Sequence, residues 1–437
     1  MKLNLLFILT FLFASGITTV LAQSQSESEE VTWEAYWSEG FKFESSDGRF
    51  NFKFGGRIMN DWVVIGSYDD NLRTSLGDPT QGTEFRRVRF FNSGTIYNNI
   101  DYKLQFDFVG GDADLKDAYI QINQIPAIDH LKIGRYKEPF GLEELTSSKY
   151  ITFMARALTS PFQPSRNSGV TTHNKVLDGR MTYAIGTFLN TDGFGSTQAG
   201  ETAQFNVTGR ITGLPWEKEN NLVHLGFAYQ LRNPDKNEVQ YSSEPETHQQ
   251  PDFVDTETLD NVSDENIMGF ELAAVYGPFS IQSEFQRSTL NRTISLDNTQ
   301  NSETKDKEIS TNFSAFYVYG SVFLTKGDHR SYGGGSFGRV KPKKNFGQES
   351  GFGALELALR YSDLDLIEGK SAITDGDFVG SSLVEGGELS DITVGLNWYL
   401  NPSTRIMFNY VFADVDRGPN NANGDAGFFR TRFQIDF

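Results

Sequence analysis

The stretch GFFRTRFQIDF, residues 427–437, narrows the fold classes open to this chain. From Phe429 onward the odd-numbered positions are apolar or small, and the even-numbered positions are polar or charged. Because successive side chains of a β-strand point to opposite faces, the stretch predicts a strand with one apolar and one charged face. Such a strand fits a soluble sandwich with a buried apolar face, or a transmembrane barrel whose apolar face meets lipid. The rest of the chain decides between the two.

The same period of two recurs from residue 50 to the C-terminus and predicts about sixteen antiparallel strands. Their predicted spans are 50–66, 84–96, 101–109, 114–123, 130–137, 168–175, 179–190, 204–213, 221–232, 266–277, 279–288, 309–324, 352–365, 388–400, 404–416 and 426–437. Large residues occupy the apolar face of these strands, whereas small residues recur on the polar face. A packed soluble barrel needs bulky apolar residues inside. The asymmetry therefore favours a closed antiparallel transmembrane β-barrel, all-β in class, with apolar side chains outside.

The connections between the predicted strands alternate between short and long. Tight turns of turn-forming residues lie at 98–99, 126–129, 177–178, 277–278 and 401–403, and most of the other connections are long and polar. Short periplasmic turns and long outer loops are typical of outer-membrane barrels. Residues 325–350 break the pattern, because they form a long connection on the side of the short turns. Either the strand count is off by two there, or the segment is a periplasmic insertion.

The first 22 residues predict a secretory signal sequence. Lys2 supplies the positive start, residues 3–13 the apolar run, and Val20-Leu21-Ala22 a small-residue cleavage pattern near Ala22. The apolar run is short for a spanning helix. We expect three parts: the signal sequence (1–22), an acidic periplasmic N-terminal segment (23–49) and the barrel (50–437). The expected location is the outer membrane of a Gram-negative cell.

Composition excludes several classes of function. The formal net charge of −18 argues against nucleic acid as a partner. The five His residues are scattered, no catalytic motif surrounds a Ser, no paired-His metal spacing occurs, and no phosphate-cradling glycine loop is present. We therefore predict no enzymatic activity, no cofactor and no metal. The aromatic content of 14% suits the aromatic girdles of a barrel in contact with membrane lipid. A surface receptor or adhesin built on the same barrel is the main alternative to a channel.

Basic side chains on the polar faces predict a charged lumen. Arg87 and Arg89 share one face of their strand, and Arg86 falls on the other. Acids on the same faces, such as Asp61, Asp117 and Glu271, leave open a ladder of mutually neutralising pairs. The basic residues predicted to line the lumen are Arg57, Arg87, Arg89, Lys103, Arg210, Arg232, Arg360, Arg405, Arg430 and Arg432.

Residues 134–154, GRYKEPFGLEELTSSKYITFM, resemble the characteristic segment of the phosphate-selective porin O and P family. Residues 84–90 with 101–103, 317–330 and 356–364 are also similar to that family, in the same order. The resemblance implies an outer-membrane barrel of sixteen strands that assembles as a homotrimer. It also implies a third outer loop folded into the lumen, and basic side chains that guide anions. The implied solute is inorganic phosphate or a related anion.

That loop maps onto residues 138–167. Three Pro stiffen its ends, and residues 142–150 suit one or two helical turns. Lys137, Lys149, Arg156 and Arg166 supply the cations expected to bind anions at the constriction. Alternatively, these groups tie the loop to the wall through its acidic residues. The expected function is passive diffusion of small anions, phosphate or oligophosphates, through a water-filled pore. Because the chain is acidic, a weakly selective general porin is the alternative.

Overall fold

Sixteen antiparallel strands close into a single barrel. The structure is a computed structural model that describes residues 31–191, 193–197, 204–348, 350–418 and 423–437. Each strand pairs with the next along the chain, and the last pairs with the first, so the sheet is closed. The predicted fold class is confirmed. The strands are β1 (Phe50–Tyr68), β2 (Gly82–Ile96), β3 (Ile100–Asp107), β4 (Asp114–Ile125), β5 (Asp129–Lys137), β6 (Arg166–Val176), β7 (Met181–Leu189), β8 (Phe205–Lys218), β9 (Asn221–Arg232), β10 (Val262–Tyr276), β11 (Phe279–Asn298), β12 (Thr304–Phe323), β13 (Ala354–Glu368), β14 (Val384–Asn401), β15 (Thr404–Asp416) and β16 (Gly424–Asp436).

The two faces of each strand are distributed as a membrane barrel requires. In β16, Phe429 and Phe433 are 41% and 50% exposed on the outside, whereas Arg430 and Arg432 are buried inside. A water-soluble core would reverse this distribution. Closure gives both edges of every wall strand a hydrogen-bonding neighbour, which lipid cannot supply. The outer surface is therefore the lipid-facing one.

Strands β10, β11 and β12 extend further than their sequence pattern indicates. β11 ends at Asn298 and β12 starts at Thr304, so the outer connection is only residues 299–303. The predicted loop 289–308 is wrong. The reason is that β11 meets water on the outside above the lipid band, so its outward positions from Thr289 to Asp297 are polar. Leu290 and Leu296 are buried on its inner face, which reverses the pattern of apolar outside and polar inside that marks the strands of the lipid band.

The long connection at residues 324–353 is a real periplasmic insertion. The barrel has the sixteen strands that the sequence predicts, so the strand count is not off by two at this point. It contains two short paired strands, Tyr332–Gly333 and Ser336–Phe337. Phe337 is buried against Leu142 and donates its backbone N–H to Thr146 Oγ1. The insertion therefore enters the barrel from the periplasmic end and contacts the third outer loop.

The remaining elements are short. An N-terminal hairpin of strands Trp33–Trp37 and Phe41–Ser45 pairs with the periplasmic end of β1. The helices are α1 (Asp70–Leu76), α2 (Leu142–Leu145) and two 3₁₀ turns, Ser160–Phe162 and Asp235–Asn237; outer-loop strand pairs are Ser242–Ser243 with Val254–Asp255, and Ile373–Asp375 with Phe378–Gly380. No helix in the described part of the chain has the length and apolar composition needed to cross a membrane. The predicted signal sequence lies outside the described residues.

The lipid-facing assignment predicts a depth-dependent cost for an added charge. Leu359 lies in the middle of the outward apolar row of β13 and is 56% exposed, whereas Tyr276 ends β10 at the periplasmic rim. We expect Leu359→Arg to lower the free energy of unfolding by about 2–4 kcal/mol and Tyr276→Arg by about 0–1 kcal/mol. Denaturant unfolding from lipid vesicles measures both. Equal costs at the two depths would contradict the assignment.

Candidate functional site: a cationic cavity beside the third outer loop

The third outer loop, residues 138–165, is held against the inner wall of the barrel. The Glu284 carboxylate of β11 accepts hydrogen bonds from the backbone N–H groups of Leu142, at 2.9 Å, and Glu143, at 2.7 Å. On the other side, Met154 N–H donates to Asn409 Oδ1 of β15 at 3.0 Å. The inward position of the loop therefore follows from side chains of β11 and β15 that accept hydrogen bonds from its backbone.

Small residues on the inner face make room for this loop. A Cβ placed on Gly269 would lie 3.1 Å from the Phe140 ring, and one on Gly395 would lie 3.1 Å from the Phe153 ring. Both Phe side chains are fully buried. The small residues that recur on the polar faces of the strands therefore do not by themselves indicate an empty pore. At these positions they let the loop approach the wall.

A second outer loop, residues 233–261, also enters the lumen. Its Glu246 carboxylate accepts from Arg360, from Ser362 Oγ at 2.5 Å and from Thr393 Oγ1 at 2.6 Å. Its Tyr241 ring packs on Phe162 of the third loop, with centroids 4.9 Å apart. Together the two loops and the periplasmic insertion fill the side of the lumen next to β9–β15.

A cavity of about 560 Å³ is left between the third loop and the wall formed by β1–β6. Its lining includes ten cationic side chains and, among the described residues, two acidic ones. The surface of the cavity is therefore strongly positive although the whole chain carries a charge of −18. The cationic residues are Arg57, Arg86, Arg87, Arg89, Lys103, Lys116, Lys132, Lys137, Arg156 and Arg166, and the acids are Asp117 and Glu144.

A β-bulge in β2 brings one more Arg to this cavity than alternation permits. Met59 pairs with Arg87, but the next residue, Asn60, pairs with Phe85, which leaves Arg86 as the extra residue. Such a bulge re-aims a side chain locally. Arg86 and Arg87 both line the cavity. The expectation that Arg86 faces away from the lumen is therefore wrong.

Each of the two acids in the lining is shared by two cations. Asp117 accepts from Lys103 at 2.6 Å and from Arg166 at 2.7 Å. Glu144 pairs with Arg156 at 2.7 Å and with Lys137 at 2.9 Å. Burial opposes ionisation of Glu144, but the two cations outweigh it and lower its pKa to about 2. Glu144 is thus anionic at neutral pH, and it still leaves an excess of positive charge.

Two buried guanidinium groups of the cavity are not neutralised by carboxylates. Arg57 and Arg87 are 6% and 7% exposed, and neither forms an ion pair within the described residues. Arg57 Nη1 donates to Ser148 Oγ at 2.7 Å, and the Nε of each Arg has no partner in the part of the chain that the structure describes. A buried charge without a partner costs several kcal/mol. An anion in the cavity would remove that cost.

Seven of the predicted site residues meet at this cavity. They are Arg57, Arg87, Arg89, Lys103, Lys137, Arg156 and Arg166. Lys149 lies below it, with Nζ 3.3 Å from Asp436 Oδ2; burial lowers the pKa of Lys149 to about 8 against the pull of that carboxylate. Lys149 is thus a member of an ion pair at the periplasmic end.

Five of the other six predicted Arg residues form ion pairs of the neutralising ladder that the sequence left open, whereas the sixth, Arg405, donates to neutral acceptors. Arg360 pairs with Glu143 and Glu246, and so joins β13 to both inward loops. Arg405 and Arg430 also donate to carbonyl groups of the inward loops. The remaining three pair with carboxylates of the wall. The remaining contacts are Arg210 with Glu271, Arg232 with Glu265, Arg430 and Arg432 with Asp61, and Arg405 with Gln434 and the Ile151 carbonyl.

Sequence reasoning missed Arg86, Lys116 and Lys132. Arg86 carries no signal, because a bulge has no reliable mark in one sequence. Lys132 could have been found, since it alternates with the outward Leu131 and Ile133 in a predicted strand. Its Nζ lies 4.6 Å and 5.2 Å from the ring centroids of Tyr119 and Tyr136, a cation–π arrangement that leaves the charge available.

A closed barrel with lipid outside and a charged cavity inside is the architecture of an outer-membrane channel, not of an enzyme. Residues 52–437 match the model of the family described as "Phosphate-selective porin O and P". The chain belongs to this family, and the outer membrane is therefore its location.

Individual relatives agree with that membership. The chain is 26% identical over 436 residues to "Porin O" of Pseudomonas aeruginosa, covering 91% of each protein. It is also 26% identical over 428 residues to an uncharacterized protein of Caulobacter vibrioides, covering 95% of this chain and 79% of that one. Among solved structures, the anion-selective porin from Comamonas acidovorans has a similar fold, with a TM-score of 0.51 and 11% identity, covering 89% of this chain and all of that one.

The buried link between Arg360 and the two loops predicts a large effect on stability. Replacing Arg360 with Met leaves the Glu143 and Glu246 carboxylates without their buried partner. We expect Arg360→Met to cost about 3–5 kcal/mol of unfolding free energy. Lys305→Met, which breaks the exposed pair with Asp375, is the control and should cost less than about 1 kcal/mol. Equal effects in denaturant unfolding would refute the role given to Arg360.

Proposed function

We propose that the protein is a channel for passive diffusion of small oxyanions, with phosphate and oligophosphates as the solute class. The observation that carries the proposal is the excess of cations around the cavity, together with the unpaired guanidinium groups of Arg57 and Arg87. Selective anion pores work through clusters of Arg or Lys at a narrow place. The family description, "Phosphate-selective porin O and P", supports the same solute class.

The chemistry of the lining suits a tetrahedral oxyanion. Guanidinium groups present planar pairs of N–H donors that match phosphate oxygens, and Lys ammonium groups act as point charges. Ser147 and Ser148 add hydroxyl groups at the Arg57 side of the cavity. Since the cations extend along the cavity instead of converging on one point, an anion can move from one set of donors to the next. That property favours transport over tight binding.

We infer that anions entering from outside meet the same cations. A second cavity of about 330 Å³ lies between the two inward loops and shares Arg86, Arg87 and Arg156 with the first. Glu244 and His248 also line this outer space. The three Arg residues therefore stand where the two cavities meet. We assign them the role of the selective step, with Lys137 and Arg166 next along the path.

Two features that accompany this proposal stay predictions: the homotrimer and the cleavage of the signal sequence near Ala22. The family resemblance implies the trimer. Neither feature affects the charge distribution of a single barrel. If the acids of the outer loops governed permeation, the pore would be only weakly selective. The next measurement would then show little preference between anions and cations.

Bilayer recordings in a salt gradient test the selectivity. We expect single channels whose zero-current potential has the sign of anion preference, because ten cationic side chains and only two acidic ones among the described residues line the cavity. Phosphate should block the chloride current in a concentration-dependent way. Cation preference, or chloride current that phosphate does not affect, would refute the proposal and leave the barrel intact.

Arg87→Gln tests the selective step directly. Hydrogen bonds to a charged group contribute about 1.5–3 kcal/mol, so the concentration of phosphate needed for half block should rise about tenfold or more. The control is Arg292→Gln, because Arg292 donates to Thr311 and to the Ser382 carbonyl, outside the cavity. The phosphate concentration needed for half block of the Arg292→Gln channel should be unchanged. A change in Arg292→Gln equal to that in Arg87→Gln would contradict a site at Arg87.

A further inference from the structure

The N-terminal hairpin extends the outward aromatic surface of β1 by two further strands. Strand Phe41–Ser45 pairs with the first residues of β1, Phe41 opposite Phe54 and Phe43 opposite Phe52. The strand Trp33–Trp37 pairs in turn with Phe41–Ser45. Because directly opposed residues of an antiparallel pair lie on the same face, the face of the hairpin is fixed by that of β1.

That face is the outer one. Phe54 is exposed on the lipid-facing side of β1, so Phe41, Phe43, Trp33 and Trp37 all point to that side. Trp33 stacks on Phe52, with ring centroids 5.5 Å apart and planes 18° from parallel. The hairpin is thus a continuation of the barrel wall at its periplasmic end.

The opposite face of the hairpin is polar. Glu34, Tyr36, Lys42 and Glu44 alternate with the aromatic residues, and Tyr36 OH donates to Glu44 at 3.1 Å. The tip is tied to the periplasmic insertion, because Glu39 pairs with Lys341 at 3.0 Å and with Arg339 at 3.5 Å. The hairpin is therefore held in one orientation, with its aromatic side outward.

Three large side chains on the outward face are not covered by any described part of the chain. Trp33, Trp37 and Phe41 are 49%, 57% and 48% exposed. Neighbouring exposed aromatic side chains of this kind mark an interaction surface. Trp and other aromatic rings favour the boundary between hydrocarbon and headgroups, where one part of the ring is apolar and the other is wet.

We propose that this hairpin lies against the periplasmic leaflet of the outer membrane and anchors the N-terminal segment there, with phospholipid as the occupant of its aromatic face. Continuity with the lipid-facing row of β1 carries the inference. The hairpin extends the periplasmic aromatic girdle beyond the barrel and, through Glu39, connects that anchor to the insertion that supports the constriction loop.

Tryptophan quenching by brominated phospholipids tests the proposal on the full chain in vesicles of phosphatidylcholine. The chain has five Trp, so variants that keep Trp33 alone or Trp37 alone are made by Trp→Phe changes at the others. Trp398, on the outward face of β14 near its periplasmic end, is kept alone as the membrane reference. The matched control is Tyr36→Trp in a chain whose five native Trp are replaced by Phe, because position 36 lies on the polar face of the same strand.

We expect Trp33 and Trp37 to be quenched to an extent comparable with Trp398 and several-fold more than the Tyr36→Trp probe. If Trp33 and Trp37 were quenched no more than the Tyr36→Trp probe, the proposal would be overturned. The aromatic face would then be in contact with water or with a second copy of the chain instead of lipid. Chloride conductance recorded on the same preparations identifies folded barrels, so that misfolded variants are not scored.

Discussion

The constraint on which the structure depends is that lipid satisfies no hydrogen bonds. A strand in contact with hydrocarbon must pair its whole backbone with other strands, and the wall must therefore close, as β16 does on β1. The same constraint sends every second side chain, polar or charged, to the inside. The charges of the lumen are in this sense a consequence of the wall. What the protein does depends on how it arranges them.

Most inward charges are used to hold the interior together. Arg360 joins β13 to two loops, and Asp61 holds Arg430 and Arg432. Buried ion pairs contribute little net stability but are costly to break singly, so they determine the positions of the loops more than they raise overall stability. With the loops held to one side, the open space falls next to β1–β6, where positive charge is in excess. A chain with a net charge of −18 thereby presents a cationic passage.

The fold was largely predictable from sequence and the site only partly so. Alternation gave all sixteen strands in order, because the lipid band requires a strict period of two. It failed above the band, where β11 continues to Asn298 with polar residues outside and with Leu290 and Leu296 inside. For the site, parity identified Arg57, Arg87 and Arg89 as inward. It could not distinguish them from Arg360, since the partners of Arg360, Glu143 and Glu246, come from loops whose positions have no local signal.

The sequence by itself determined the class of the protein: the closed wall, the lipid-facing outer surface, the inward cations and the family. These properties follow from local periodicity and from a long motif, both of which are visible in a linear chain. Only the tertiary structure decided which cations remain unpaired, that Arg86 turns inward at a bulge, and that residues 324–353 support the constriction from below. Those features depend on which distant side chains meet within a few ångströms, and a single sequence does not contain that information in readable form.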